Sequence, residues 1–159
     1  MVEMKIYGLA VDNDSDAPVL VLKNEELEIV LPIWIGAIEA MAISLVLDEV
    51  SFPRPMTHDL LLDAITVLGG NIISVDIVDI ENGTFYAEII VDCNGDVKAI
   101  DCRPSDAIAL AVRAKCPVRA AQKVIDTAAT KDAEAKILES DSVSDEFEEL
   151  SPDDFKYKM

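Results

Sequence analysis

DVKAIDCRPSDAIALAVR at residues 96–113 and IVLPIWIGAIEAMAISLV at residues 29–46 are the two stretches whose reading decides the fold. Offset by 67 positions, each reads as an extended apolar run, a break and an Ala-rich run with helical spacing. An acid stands in the first turn of each expected helix, Glu39 in one and Asp106 in the other. A carboxylate placed twice at one structural spot predicts two βββα halves related by internal duplication, with paired acids near their pseudo-axis. Paired acids can hold a metal or move protons.

Working outward, strands are expected over 2–12, 19–23 and 27–35, with Pro32 placing the third at an edge or bend. A helix follows over 36–48. Thr57 reads as the N-cap of a second helix that stops at Gly69-Gly70. Strands over 71–80 and 84–92 flank an Asn-Gly turn, and NGD at 94–96 turns the chain into VKAIDC. Ser105 reads as the cap of the next helix. A short extended piece at 118–120 and a small helix at 121–129 close the domain. Strands run first and helices follow, twice over, with hairpin-length turns. The expected class is α+β, a mostly antiparallel sheet with helices packed on it.

The chain has 159 residues, 51% of them hydrophobic and 5% aromatic, enough for one aliphatic core. Residues 1–129 are expected to form that domain. From residue 130 the sequence turns acidic and contains Pro152, so 130–159 reads as a partly disordered tail. Cys93, Cys102 and Cys116 form no CxxC pair and no Cys/His cluster, which argues against structural zinc and a disulfide framework. Reduced cysteines, an opening MVEMKIYGLA without a signal-peptide pattern and no apolar run of roughly 20 residues point to a cytoplasmic protein without a membrane span. The net charge is −18, of which residues 126–159 carry −7 and residues 1–125 carry −11. General electrostatic attraction to a nucleic-acid backbone is thereby excluded; any phosphate contact needs a local site or a metal.

Two Arg-Pro junctions carry the candidate chemistry. RPMTHD at 54–59 sets Arg54 ahead of a helix start bearing Thr57, His58 and Asp59. Helix N-termini attract anions, and a sole histidine beside a carboxylate is a natural general acid or base. The structural reading is a capping cluster. DCRPSD at 101–106 gathers Asp101, Arg103, Ser105 and Asp106 at a strand–helix junction. The functional reading gives carboxylates to a divalent cation and Arg103 to a phosphate. The structural reading is an ion pair between Asp106 and a buried arginine. Arg54, Arg103 and Arg113 could clamp phosphate or neutralise Glu39, Asp59, Asp101 and Asp106. Trp34 either packs in the core, the plainer expectation, or offers a base-stacking face. Long apolar runs in the helices, LLLDAITVL and AIALAV, predict a homodimer.

Taken together, LPIWIGAIEAMAISLVL, RPMTHDLLLDAI, GTFYAEIIV and DCRPSDAIALAVR followed by CPV resemble the bifunctional nuclease domain family over about residues 2–125. ELSPDDFKYKM resembles the tail of some bacterial members, whereas the UVR-type helical hairpin of others is not recognisable. The resemblance implies a nuclease, with activity on both RNA and DNA attributed to plant relatives and a role in stress responses; single-stranded RNA or DNA is the expected partner. The positions matching family motifs are Trp34, Glu39, Arg54, Thr57, His58, Asp59, Asp101, Arg103, Ser105, Asp106 and Arg113. One mechanism consistent with it has Glu39, Asp101 and Asp106 hold Mg²⁺ or Mn²⁺, with His58 or a metal-bound water as base and Arg103 on the phosphate. The alternative is a non-catalytic binding or regulatory module whose motif residues are caps and ion pairs.

Overall fold

A computed structural model describes residues 1–12 and 14–131. The expected acidic tail beyond residue 131 lies outside the described residues. The elements run β1 (Val2–Val11), β2 (Pro18–Asn24), β3 (Ile29–Trp34), α1 (Ala37–Leu47), α2 (Thr57–Val67), β4 (Gly70–Glu81), β5 (Thr84–Cys93), β6 (Asp96–Cys102), α3 (Pro104–Ala114), β7 (Val118–Ala120), α4 (Gln122–Ala128) and β8 (Thr130–Lys131). The class is α+β, as the patterning predicts.

Among the described residues eight strands form one sheet in the order β6-β5-β4-β7-β1-β2-β3-β8. Two antiparallel meanders, β1-β2-β3 and β4-β5-β6, flank the three-residue β7. β7 runs parallel to β4 and antiparallel to β1, and is the one parallel partner among the described strands. The hairpin turns form where Asn-Gly pairs permit positive φ. Asn82 and Gly83 take φ of 51° and 79°, and Asn94 and Gly95 take 57° and 90°. Pro32 sits opposite Val21, on the stretch of β3 beyond its short pairing with β8, where no ladder donor is required.

The main core lies between one sheet face and the helices. Leu20, Leu22, Leu31, Ile33, Val75, Ile77, Ala87, Ile89 and Val91 meet Ile43, Ala107, Ile108, Leu110, Val124 and Ile125 there. α3 is the central helix. Pro104, Ser105 and the run Ala107–Ala111 are buried, and α3 packs against α1, α2, β4 and β5. Its alanines let the flanking helices approach closely, which brings their side chains within reach of its two ends. α2 is the opposite case, since none of its residues is fully buried. No helix among the described residues is long and apolar enough to cross a membrane.

Two capping expectations need correction. Met56 rather than Thr57 is the N-cap of α2, and its backbone N–H donates to Asp59 Oδ2 at 2.8 Å. Arg103 rather than Ser105 is the N-cap of α3, because Pro104 takes the first helical position, for which its fixed φ is suited. Ser105 is thereby drawn one turn-step into the helix and buried.

Candidate functional site

β3 delivers Trp34 and then α1 raises Glu39 in its first turn. β6 delivers Arg103 and α3 raises Asp106 in the same way. These two junctions meet. Arg103 donates from Nε to Asp106 Oδ2 at 2.8 Å and from Nη2 to Asp106 Oδ1 at 3.1 Å. Its Nη1 donates to Glu39 Oε1 at 2.8 Å. Gly36 leaves room for this, since a Cβ there would collide with the Glu39 carboxylate. On the other side of Asp106, His58 Nε2 lies 3.2 Å from Oδ1. One line of contacts therefore runs Glu39–Arg103–Asp106–His58.

A second ion pair ties the helices together. Arg113 donates from Nε to Asp59 Oδ1 at 2.6 Å, and from Nη1 to the carbonyls of Ala42 and Ala109 at 3.0 and 2.8 Å. Its side chain is 8% exposed, so α1, α2 and α3 are joined through a buried guanidinium. The arginine beside Asp106 is the other kind: the Arg103 side chain is 65% exposed. The expected pairing of Asp106 with a buried arginine is corrected accordingly. The buried arginine belongs to Asp59.

Burial raises the Asp106 carboxyl, but hydrogen bonds from Arg103 and His58 and the charge on Arg103 outweigh it and hold the group below its ordinary value. Asp59 is depressed in the same manner, burial being overcome by Arg113 and the Met56 N–H. Arg103 is pushed upward by Asp106 and Glu39 and stays charged at any working pH. Burial, reinforced by the charges of Asp106, Asp101 and Glu88, pushes the Cys102 thiol up to about 11. That thiol is no thiolate nucleophile near neutral pH.

The Arg103 guanidinium forms part of the wall of a groove of about 420 Å³. Ile33, Trp34, Ile35, Gly36 and Glu39 line it from the β3–α1 junction, Gly83, Thr84 and Phe85 from the β4–β5 hairpin, and Arg103, Pro104 and Ser105 from the β6–α3 junction. Trp34 is 51% exposed, which corrects the expectation of core packing. Its indole Nε1 donates to Asp12 Oδ2 at 3.1 Å. Sequence reasoning passed over Asp12 and the hairpin residues Gly83, Thr84 and Phe85. Their signals were present, since the Asn-Gly turn marks a hairpin tip and NDSD marks a loop. Nothing local showed that either tip reaches the β3–α1 junction.

Two expected site residues stand apart. Arg54 is exposed and makes no hydrogen bond or ion pair among the described residues. Asp101 is exposed and pairs in register with Glu88. Neighbouring Cys102 packs against the core, so alternation turns Asp101 to the opposite sheet face, away from the helix carrying Asp106. Meanwhile Glu39 and Asp106 already share one guanidinium. Among the described residues no three His, Cys, Asp or Glu side chains are grouped to hold a metal ion. A hard divalent cation needs several oxygens turned to one point. Glu39, Asp101 and Asp106 as arranged do not fit the expected Mg²⁺ or Mn²⁺ site.

The comparisons with known proteins agree with this geometry in one respect, that the matched segment contains every residue of the contact line. The model of the bifunctional nuclease domain matches residues 20–133. Two uncharacterized proteins of Mycobacterium tuberculosis, from strains CDC 1551 / Oshkosh and H37Rv, are each 40% identical over 165 aligned residues, covering 98% of this chain and 99% of theirs. A match over most of the chain, together with relatives aligned from end to end, shows that this chain belongs to the bifunctional nuclease domain family.

Proposed function

We propose that this protein is nuclease-like and engages single-stranded RNA or DNA at the Trp34–Arg103 groove, where a phosphodiester is cleaved. One observation carries the reading. Arg103 is held from both sides by Glu39 and Asp106 at the rim of a groove that also exposes the Trp34 ring. A guanidinium has five N–H donors, and three are used here. Those remaining meet no partner among the described residues and can serve a phosphate oxygen, while Trp34 offers a stacking face to a base. His58, oriented by Asp106, is the candidate general base, although it stands behind Asp106 and not among the residues that line the groove. Glu39, Asp106 and Arg103 sum to one negative charge.

A second reading, a non-catalytic binding or regulatory module, is supported by the engagement of Glu39, Asp59 and Asp106 with arginines. Labelled single-stranded RNA and DNA, incubated with purified protein with and without EDTA, separate the two. Cleavage lost in Arg103→Gln supports the first reading, and binding without products supports the second. The EDTA arm carries the Mg²⁺ or Mn²⁺ expectation, and cleavage that survives EDTA fits the donor arrangement described above. Neither binding nor cleavage would overturn both.

Three finer readings accompany this one. The two βββα halves are read as copies, supported by matching meanders and by helices α1 and α3 whose bounds are both 67 positions apart. A homodimer through α2 is supported by its exposed Leu60, Leu61, Val67 and Leu68. A cytoplasmic setting is supported by three free cysteines.

A further inference from the structure

The groove sits in a chain of net charge −18, and the two facts together limit what can occupy it. Among the described residues that line the groove Arg103 is the only cation, and Glu39 lies beside it. The rims continue into acids. Behind Trp34, the β1–β2 turn holds Asp12, Asp14 and Asp16, with Asp12 accepting the indole N–H. Ahead of Gly83, β4 ends at the exposed Glu81. A volume of 420 Å³ lies near the small end of the roughly 300–1,000 Å³ typical of small-molecule sites. It admits a base and its phosphate, not a long strand.

We propose that the occupant of this groove is one nucleotide of a short single-stranded oligonucleotide of about two to three residues, not of polymeric RNA or DNA. The proposal rests on the reading of the groove as a phosphodiester site and adds its size class. At physiological ionic strength the screening length is about 8 Å, so a short oligonucleotide is governed mainly by Arg103 and Trp34. The described lining offers a longer strand no second cation, while Asp12 stands beside Trp34 and Glu81, with Lys123 near it, ends β4 ahead of Gly83. A nucleic-acid-binding protein with a basic surface loses affinity as salt rises, because counterions are released. Here the sign reverses for long strands, since salt screens repulsion instead of attraction.

Trp34 is the only tryptophan of the chain, so quenching of its fluorescence reports stacking in the groove directly. A 5′-phosphorylated dinucleotide and a 20-residue homopolymer of the same base are titrated into the full chain at low and at high salt. The dinucleotide is expected to quench with an affinity that changes less than about threefold between 30 and 300 mM salt, whereas the homopolymer binds at least about tenfold more weakly at low salt and gains as salt rises. Arg103→Gln should weaken the dinucleotide by about tenfold, the loss of one charge-assisted contact. A homopolymer that binds more tightly than the dinucleotide at low salt, and weakens with salt, overturns the size class and leaves the groove reading standing. Quenching by neither length, or dinucleotide quenching unchanged in Arg103→Gln, overturns the groove reading and this proposal with it.

Discussion

His58 Nε2 lies 3.2 Å from Asp106 Oδ1, across 48 positions of sequence. That contact unites the two Arg-Pro junctions. It also makes Asp106 the shared partner of a histidine and an arginine, so a single substitution tests both roles.

Asp106→Asn should leave the fold nearly intact. The arginine it releases is largely exposed and can return to water, so the expected loss is about 1 kcal/mol, as for a surface pair. Binding or cleavage should fall much further, because both Arg103 and His58 lose their orienting carboxylate. Melting temperature and single-strand cleavage are measured on the same preparation. A large drop in melting temperature with unchanged activity of the folded fraction removes Asp106 from the site.

Asp59→Ala should be the damaging change. It strips the partner from the buried Arg113 guanidinium and removes the acceptor of the Met56 N–H. The expected cost is about 3 kcal/mol, at the low end for a broken buried pair because Asp59 itself is 40% exposed. Denaturant unfolding of wild type and variant gives the difference. A loss under about 1 kcal/mol would show that the junction of α1, α2 and α3 does not depend on this pair.

Acid should weaken the domain through these same carboxylates. Asp59 and Asp106 are both held below the ordinary value of 3.8. Groups with depressed folded values contribute stability that is fully present above the unfolded value and lost as pH falls through the folded one. Melting temperature should therefore be insensitive to Asp59 and Asp106 near neutrality and decline as pH drops below about 4. In Asp59→Ala the acid decline should be shallower than in wild type, and identical slopes would remove Asp59 from the linkage.

Light scattering at micromolar concentration should return a dimer mass. α2 has no fully buried residue, and Val67 and Leu68 near its end are 84% and 85% exposed. Leu61→Lys with Leu68→Lys should shift the mass to that of a monomer without loss of helical circular dichroism. A monomer mass for the wild type refutes the assembly.

Ending the chain after residue 133 should leave a folded domain. The removed segment is acidic and poor in core-type residues, while β8 at Thr130–Lys131 keeps its pairing with β3. A melting temperature lowered by many degrees would place part of the removed segment in the folded unit.

Local chemistry made most of the fold legible. Asn82-Gly83 and Asn94-Gly95 predict hairpins because few other residues accept positive φ at both turn positions. Gly69, at φ 86°, ends α2 for a related reason. The caps were less legible. Thr57 and Ser105 are good capping residues by type, yet the residues around them moved the helix starts to Met56 and Arg103. Cap choice depends on where the preceding chain enters, which propensity does not encode.

By itself the sequence determined the succession of strands and helices, the α+β class and the presence of acids in the first turns of α1 and α3. These follow from periodicities of two and 3.6 residues and from turn residues acting over a few positions. Only the tertiary structure decided the pairings. Arg103 meets Glu39 across 64 positions, and Arg113 meets Asp59 across 54. It also decided that Arg103 stays exposed while Arg113 is buried, that Asp101 turns to the far face of the sheet, and that Trp34 opens onto a groove. Which charge meets which is set by the packing of α1 and α2 against α3, and no local pattern carries that information.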